Sequence, residues 1–140
     1  MDLHNSYKYT LAIEPVAAAT SNTAIVSNVI DTANFTGHEF VLITGTNADA
    51  DATYTVLVEE GDTGTAGSTT LSDNTAVADA DLIGTEASAS YTFANDATTK
   101  KIGYRGSKRY IRVTVTPANN TGNTFLAAVW VQAGARVQPV

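Results

Sequence analysis

Tyr110-Ile111-Arg112-Val113-Thr114-Val115-Thr116, ending at Pro117, alternates apolar and polar residues without a break. Successive side chains of an extended chain point to opposite faces. Ile111, Val113 and Val115 therefore share one face, and Tyr110, Arg112, Thr114 and Thr116 share the other. One wet and one buried face is the signature of a strand in an antiparallel sheet. The same period of two recurs where Tyr7, Tyr9, Leu11 and Ile13 alternate with Lys8, Thr10 and Ala12, and again over residues 53–58. Further strands are predicted over residues 23–30, 39–44, 88–93, 100–105 and 124–132. Turn clusters separate them, among them Gly45-Thr46-Asn47, Gly61-Asp62-Thr63-Gly64, Gly106-Ser107 and Asn119-Asn120-Thr121-Gly122.

Short strands at regular spacing predict an all-β fold: a single-domain antiparallel β-sandwich, jelly-roll-like, with an N-terminal arm. Residues 1–9 read as that arm or as a first edge strand, residues 10–133 as the sandwich, and residues 134–140 as a tail. Gly106 can supply a positive φ, so a hairpin is predicted at residues 104–109. A longer loop at residues 116–123 would complete a three-stranded C-terminal meander. Residues 61–72 are rich in Gly and Thr and read as a mobile surface loop. The alanines near residues 74–83 admit a short helix, against which Asp79 and Asp81 weigh.

The 140 residues suit one domain that buries its own core. Charged residues make up 16% of the chain, against roughly 25% in an average domain. The chain has no cysteine, which excludes disulfides, thiolate zinc sites and cysteine nucleophiles. The opening Met1-Asp2-Leu3-His4-Asn5 has neither the basic nor the apolar region of a secretory signal. Apolar runs such as residues 125–131 are too short to span a bilayer, so no membrane partner is expected.

Charge is unevenly distributed along the chain. The first 96 residues hold all fourteen acids and one base, a balance of −13, whereas the rest hold seven bases and no acid, +7. Either strands from both halves interleave and the charges mix in space, or the surface is polarised and orients the domain on a charged partner. The basic cluster Lys100, Lys101, Arg105, Lys108, Arg109 and Arg112, interleaved with Tyr104 and Tyr110, invites a nucleic-acid reading. The acidic remainder would repel a phosphate backbone, so no nucleic acid is expected and a protein partner fits better.

Residues of catalytic type are sparse. His4 and His38 are the only histidines, they lack metal-ligand spacing, and they read as structural or interface residues. No Gly-x-Ser-x-Gly elbow and no phosphate loop is present. Asp49 with Asp51, and Asp79 with Asp81, place carboxylates two apart, a spacing that can serve Ca²⁺, but neither stretch completes a calcium loop. They read as solvated turn aspartates. A glycosidase would need an aromatic-lined cleft beside paired carboxylates. The single Trp130 lies in an apolar strand and reads as core or subunit interface. No catalytic residue, cofactor or metal is therefore expected, and the chain reads as a non-enzyme.

Three stretches carry a family resemblance: Met1 to Asn5; Ala78-Asp79-Ala80-Asp81-Leu82-Ile83-Gly84-Thr85-Glu86-Ala87; and Lys100-Lys101-Ile102-Gly103-Tyr104-Arg105-Gly106-Ser107-Lys108-Arg109, running on to Pro117. In these the chain resembles the head-decoration (cement) proteins of tailed bacteriophages. The resemblance implies a virion protein, made in the host cytoplasm, that binds the major capsid protein on the outside of the head. It also implies a homotrimer that stabilises the shell against packaged DNA. Leu3, His4, Tyr7 and Tyr9 are candidate anchors of a reaching arm. Arg105, Lys108 and Arg109 form a second candidate contact with the shell or a sister subunit, and residues 134–140 a third. The alternatives are a head fibre, a head-completion or tail component, and a carbohydrate-binding jelly roll.

Overall fold

The computed structural model describes residues 2–15 and 19–140. After a helical turn, α1 (Leu3–Ser6), come β1 (Tyr7–Ile13), β2 (Ile25–Val26), β3 (Ile30–Asp31), β4 (Gly37–Asn47) and β5 (Thr53–Gly61). Next are β6 (Thr75–Ala76), β7 (Leu82–Ile83), a second helical turn α2 (Glu86–Ala89), and β8 (Tyr91–Thr92). The chain closes with β9 (Thr99–Tyr104), β10 (Tyr110–Ala118) and β11 (Thr124–Ala133). Met1 lies outside the described residues.

The strands form two antiparallel sheets. Sheet I runs β1-β11-β4-β9-β7, and sheet II runs β2-β10-β5-β6, with β3 also on β10 and β8 also on β5. With β2 and β3 taken as one interrupted edge and β6 and β8 as the other, the long strands alternate between the sheets. That order is a jelly roll, so the expected sandwich is what the chain forms.

The core lies between the sheets. Phe40, Leu42, Ile102, Tyr104, Leu126, Ala128 and Trp130 enter it from sheet I, and Tyr54, Val56, Val58, Ile111, Val113 and Val115 from sheet II. Each large apolar side chain buried there contributes about 1.5–3 kcal/mol. Trp130 is 1% exposed, lies edge-on to Phe40 at 5.2 Å, and donates its indole N–H to the Asn28 carbonyl at 3.0 Å. It is a core residue. Tyr54 and Tyr91 stack at 4.5 Å.

The C-terminal meander does not form. β9 pairs with β4 and β7 in sheet I, and β10 pairs with β5, β2 and β3 in sheet II. The turn between them therefore crosses the end of the sandwich and is not a hairpin. The physical reason is Tyr104, which is buried and reaches across the gap. Its hydroxyl donates to Glu60 Oε2 at 2.6 Å and accepts from the Lys108 backbone N–H at 2.9 Å. Gly106 does not occupy the left-handed region. It is needed for room, since a Cβ there would lie 2.5 Å from Tyr104 Oη. The second connection also crosses sheets. Asn120 is buried in it, accepts from the Tyr54 hydroxyl, and donates its amide to the carbonyls of Ala19 and Ser21.

Three local expectations are also corrected. Residues 74–83 contain β6, a single 3₁₀ turn (Asp79–Asp81) and β7, with no α-helix. Val77 and Leu82 are both buried, and side chains five apart stand about 140° apart on a helix. The turn at Asp79–Asp81 carries the chain from sheet II to sheet I, so each enters the interior from its own side. Residues 88–93 contain the end of α2, then β8 and a second 3₁₀ turn (Phe93–Asn95). Thr85 caps α2, its hydroxyl accepting from Ser88 N–H at 3.1 Å. Residues 61–72 are a bonded hairpin, not a mobile loop. Thr65 N–H donates to Thr70 O, Ser72 N–H to Thr63 O, and Val29 exchanges backbone bonds with Gly67 and Ser68. Leu71 plugs it into the interior, and the Asp73 carboxylate accepts the N–H groups of Asp62 and Thr63.

Candidate interaction surface

The outer faces of the two sheets differ in chemistry. On sheet II the outward side chains of β10 are Tyr110, Arg112, Thr114 and Thr116, opposite Gly61, Glu59, Leu57 and Thr55 of β5. Arg112 Nε donates to Glu59 Oε2 at 2.8 Å, and Thr114 Oγ1 donates to the same oxygen at 2.6 Å. Arg112 also donates to the Thr69 carbonyl at 2.7 Å, which fastens the 61–72 hairpin over this face. Burial pushes the Glu59 carboxyl up, but hydrogen bonds from Arg112, Thr114 and Asn74 outweigh it and hold the group below the ordinary range. This face is polar, satisfied and partly covered by the chain itself.

Sheet I presents the opposite character. Register places Tyr9 beside Val131, Leu11 beside Val129, Val129 beside Val41, and Ala127 beside Ile43. Ile83 extends the surface across Gly103 on the far edge. Large apolar side chains here remain in solvent: Tyr9 59%, Ile83 58%, Ile43 50%, Leu11 48% and Phe125 41% exposed. On β1 Tyr9 and Leu11 face out, while Ala12 and, past a register shift, Ile13 pack into the core. Two hollows indent the face. One, of about 220 Å³, has Gly37, Gly103 and Ala133 among its lining, with Tyr7, Val131 and Ile83. The other, also about 220 Å³, is bounded by Pro15, Ile43, Gly45, Phe125 and Ala127. The charged side chains lining or crossing this patch, Glu39 and Lys101, pair with each other at 3.5 Å.

The basic cluster is distributed among acids from the first half of the chain. Lys108 pairs with Asp62 at 2.6 Å, Arg109 with Asp31 at 3.0 Å, Arg112 with Glu59, and Lys101 with Glu39. Arg105 donates to the Ala80 carbonyl and Lys100 to that of Ser88. The −13 and +7 halves interleave in space, as one of the two charge readings anticipated.

The predicted contact residues are not all brought together. Leu3 and His4 sit in α1, capped by Asp2, whose Oδ1 accepts from His4 N–H at 3.0 Å. Tyr7 and Tyr9 lie in β1, paired to Ala133 and Val131. Arg105, Lys108 and Arg109 lie on the crossover between β9 and β10. Asp49 is a latch between loops: its carboxylate accepts from Thr121 N–H and Oγ1, both at 2.8 Å, and from Asp51 N–H. Asp79 and Asp81 flank a 3₁₀ turn. Among the described residues no group of three or more metal-ligating side chains converges. His38 is buried, 3.3 Å from the Gln132 amide, and burial holds its imidazole below the usual value. The single carboxylate lining the adjacent hollow is Glu39.

The sequence reading missed the outer face of sheet I beyond Tyr7 and Tyr9, although a signal was present. Phe40-Val41-Leu42-Ile43, and the run from Phe125 to Val131, are apolar at both parities. In an antiparallel sheet, continuous apolar runs mark strands whose two faces both avoid water.

No protein-family model matches the chain, and no curated protein matches it. Solved structures do. A chain in the capsid of Ralstonia phage GP4 superposes with a TM-score of 0.53 at 12% identity, covering 98% of this chain and 90% of that one. A chain of the Gx strain of infectious bursal disease virus gives 0.49 at 10% identity over 95% of this chain and 33% of that one. The xylan-binding module CBM15 gives 0.41 at 9% identity, covering 98% and 96%. At such identities the first match establishes a shared fold across nearly the full length of both chains. No helix among the described residues is long and apolar enough to cross a membrane.

Proposed function

We propose that the chain is a virion structural protein of the head-decoration kind, attached to the outside of a phage capsid shell and reinforcing it by contact alone. The observation that carries this reading is the outer face of sheet I. A water-soluble sandwich ordinarily keeps its outer faces polar, and an apolar patch of this extent marks a surface that protein covers. The likeness of fold to a chain of a phage capsid over almost all of both chains supports the same reading. Contact needs a rigid module with a bare patch, and a jelly roll with interleaved charges is such a module.

A carbohydrate-binding role is the second reading, and the chemistry of the face disfavours it. Sugar recognition combines stacking aromatics with many polar groups. Here Leu11, Val41, Val129 and Ile43 occupy the centre, and Glu39 and Lys101 engage each other. Quantitative mass spectrometry of purified virions from the encoding phage is the test. Copies comparable in number to the shell subunits are expected. Absence from the particle, or a single ring of copies as in a connector, would overturn the reading.

A further inference from the structure

We infer that the outer face of sheet I is where one copy of this chain meets another. The inference rests on the decoration reading, which expects an oligomer, and adds the surface that builds it.

Charge selects the occupant. The chain carries −6 overall, so two copies repel at most approaches. The patch spanning Tyr9, Leu11, Val129, Val131, Val41 and Ile43 is the exception. Its neighbouring charges, Glu39 and Lys101, cancel within the copy. Among the carboxylates without a basic side chain, Asp49 and Asp73 accept backbone N–H groups in loops, and Asp79 lies in the turn that leads into β7. Glu14 shares a hollow with Leu11 at the end of β1; over the rest of the patch two identical acidic molecules can approach without opposing charge, and each hides the other's apolar surface.

Size and relief agree. Five large side chains about half exposed, with three half-buried valines between them, make a patch at or above the several hundred Å² that monomers leave bare. That is of the order of the ~800 Å² per partner in a standard interface. Interfaces between like subunits are the most apolar class. The face also carries both halves of a fit: protruding Tyr9, Leu11 and Ile43, and a hollow lined by Gly37, Gly103 and Ala133. Facing sheets pack about 10 Å apart with side chains interdigitated, so a neighbour's projections can seat in that hollow.

Sedimentation velocity of the purified full chain across a concentration series tests this, with Ile43→Glu and Leu11→Glu as variants and melting temperature as the check on folding. Both positions are exposed, so the variants keep the fold. The wild type should sediment as a dimer or trimer. Each variant should weaken association at least tenfold, by burying a carboxylate in the contact. Raising salt should leave wild-type association unchanged or tighter, because the contact is apolar. Three results would overturn the inference: a monomeric wild type at its highest soluble concentration, variants that assemble unchanged, or an oligomer that salt disperses. The last would assign the contact to Arg105, Lys108 and Arg109. A monomer that still coats virions would sink this inference and leave the decoration reading standing, with shell protein as the occupant. An oligomer missing from virions would do the reverse.

Discussion

Glu59 and Arg112 show how tightly single residues are constrained in this module. Both are largely buried on the outer side of sheet II, and Thr114, Asn74 and the Thr69 carbonyl complete their hydrogen bonding. Removing one partner of a buried pair strands the other charge. Arg112→Ala should therefore destabilise the protein by about 3 kcal/mol, read from urea unfolding followed by Trp130 fluorescence. A loss within error of zero would mean that Glu59 is solvated in the folded protein. The titrating residues set the acid response. His38 is held below its usual value of 6.5 by burial, so below that pH the unfolded chain takes up a proton that the folded chain resists, and stability falls. Burial raises the carboxyls of Glu59 and Asp31, but their hydrogen bonds and neighbouring charges, Arg112 and Arg109 foremost, together outweigh it, and a lysine hydrogen bond lowers Asp62. Their contribution is full above the ordinary carboxylate range and is lost as pH falls through their lowered values. Stability against pH should thus decline in two stages on acidification, and His38→Gln should flatten the first stage alone.

At the scale of elements, the informative failures lie in connections. Strand interiors were legible because burial of alternate side chains writes itself into the sequence, as at Ile111, Val113 and Val115. Partners were not legible, since alternation reports which face is buried and says nothing of which strand lies alongside. The segment from Tyr104 to Arg109 has hairpin composition, yet Tyr104 bonds to Glu60 in the opposite sheet and carries the chain across. Gly106 is the sensitive point of that crossing. Gly106→Ala should cost about 1–3 kcal/mol through overpacking against the tyrosine ring, read from urea unfolding. If Gly106→Ala is neutral, the turn has room and the crossing is held by other contacts. The apolar outer face was half legible. Runs apolar at both parities in β4 and β11 carried the signal, and only the folded register showed that Tyr9, Leu11 and Ile83 join Ile43 and Phe125 on one face.

For the whole molecule, pairing of non-consecutive strands has a kinetic consequence. β1 with β11, β4 with β9, and β5 with β10 each close long stretches of chain before any contact rewards them. Refolding should fall in the slow range of all-β two-state domains, about milliseconds to seconds, in a single phase by Trp130 fluorescence; microsecond refolding would be inconsistent with this topology. The strands that delay folding also mix the charges. Acids of the first 96 residues pair with bases of the last 44, which leaves sheet I with an apolar face whose charges, Glu39 and Lys101, engage each other, and sheet II with a polar, self-covered one. That difference between faces is the basis of the proposed role, which requires grip and no chemistry. Cryo-electron microscopy of the proposed virions tests it most directly. The expected map has the jelly roll on the outside of the shell at high occupancy, with Tyr9, Leu11, Ile43 and Ile83 buried against protein. A shell without the domain, or a domain attached with that face open to water, would contradict it.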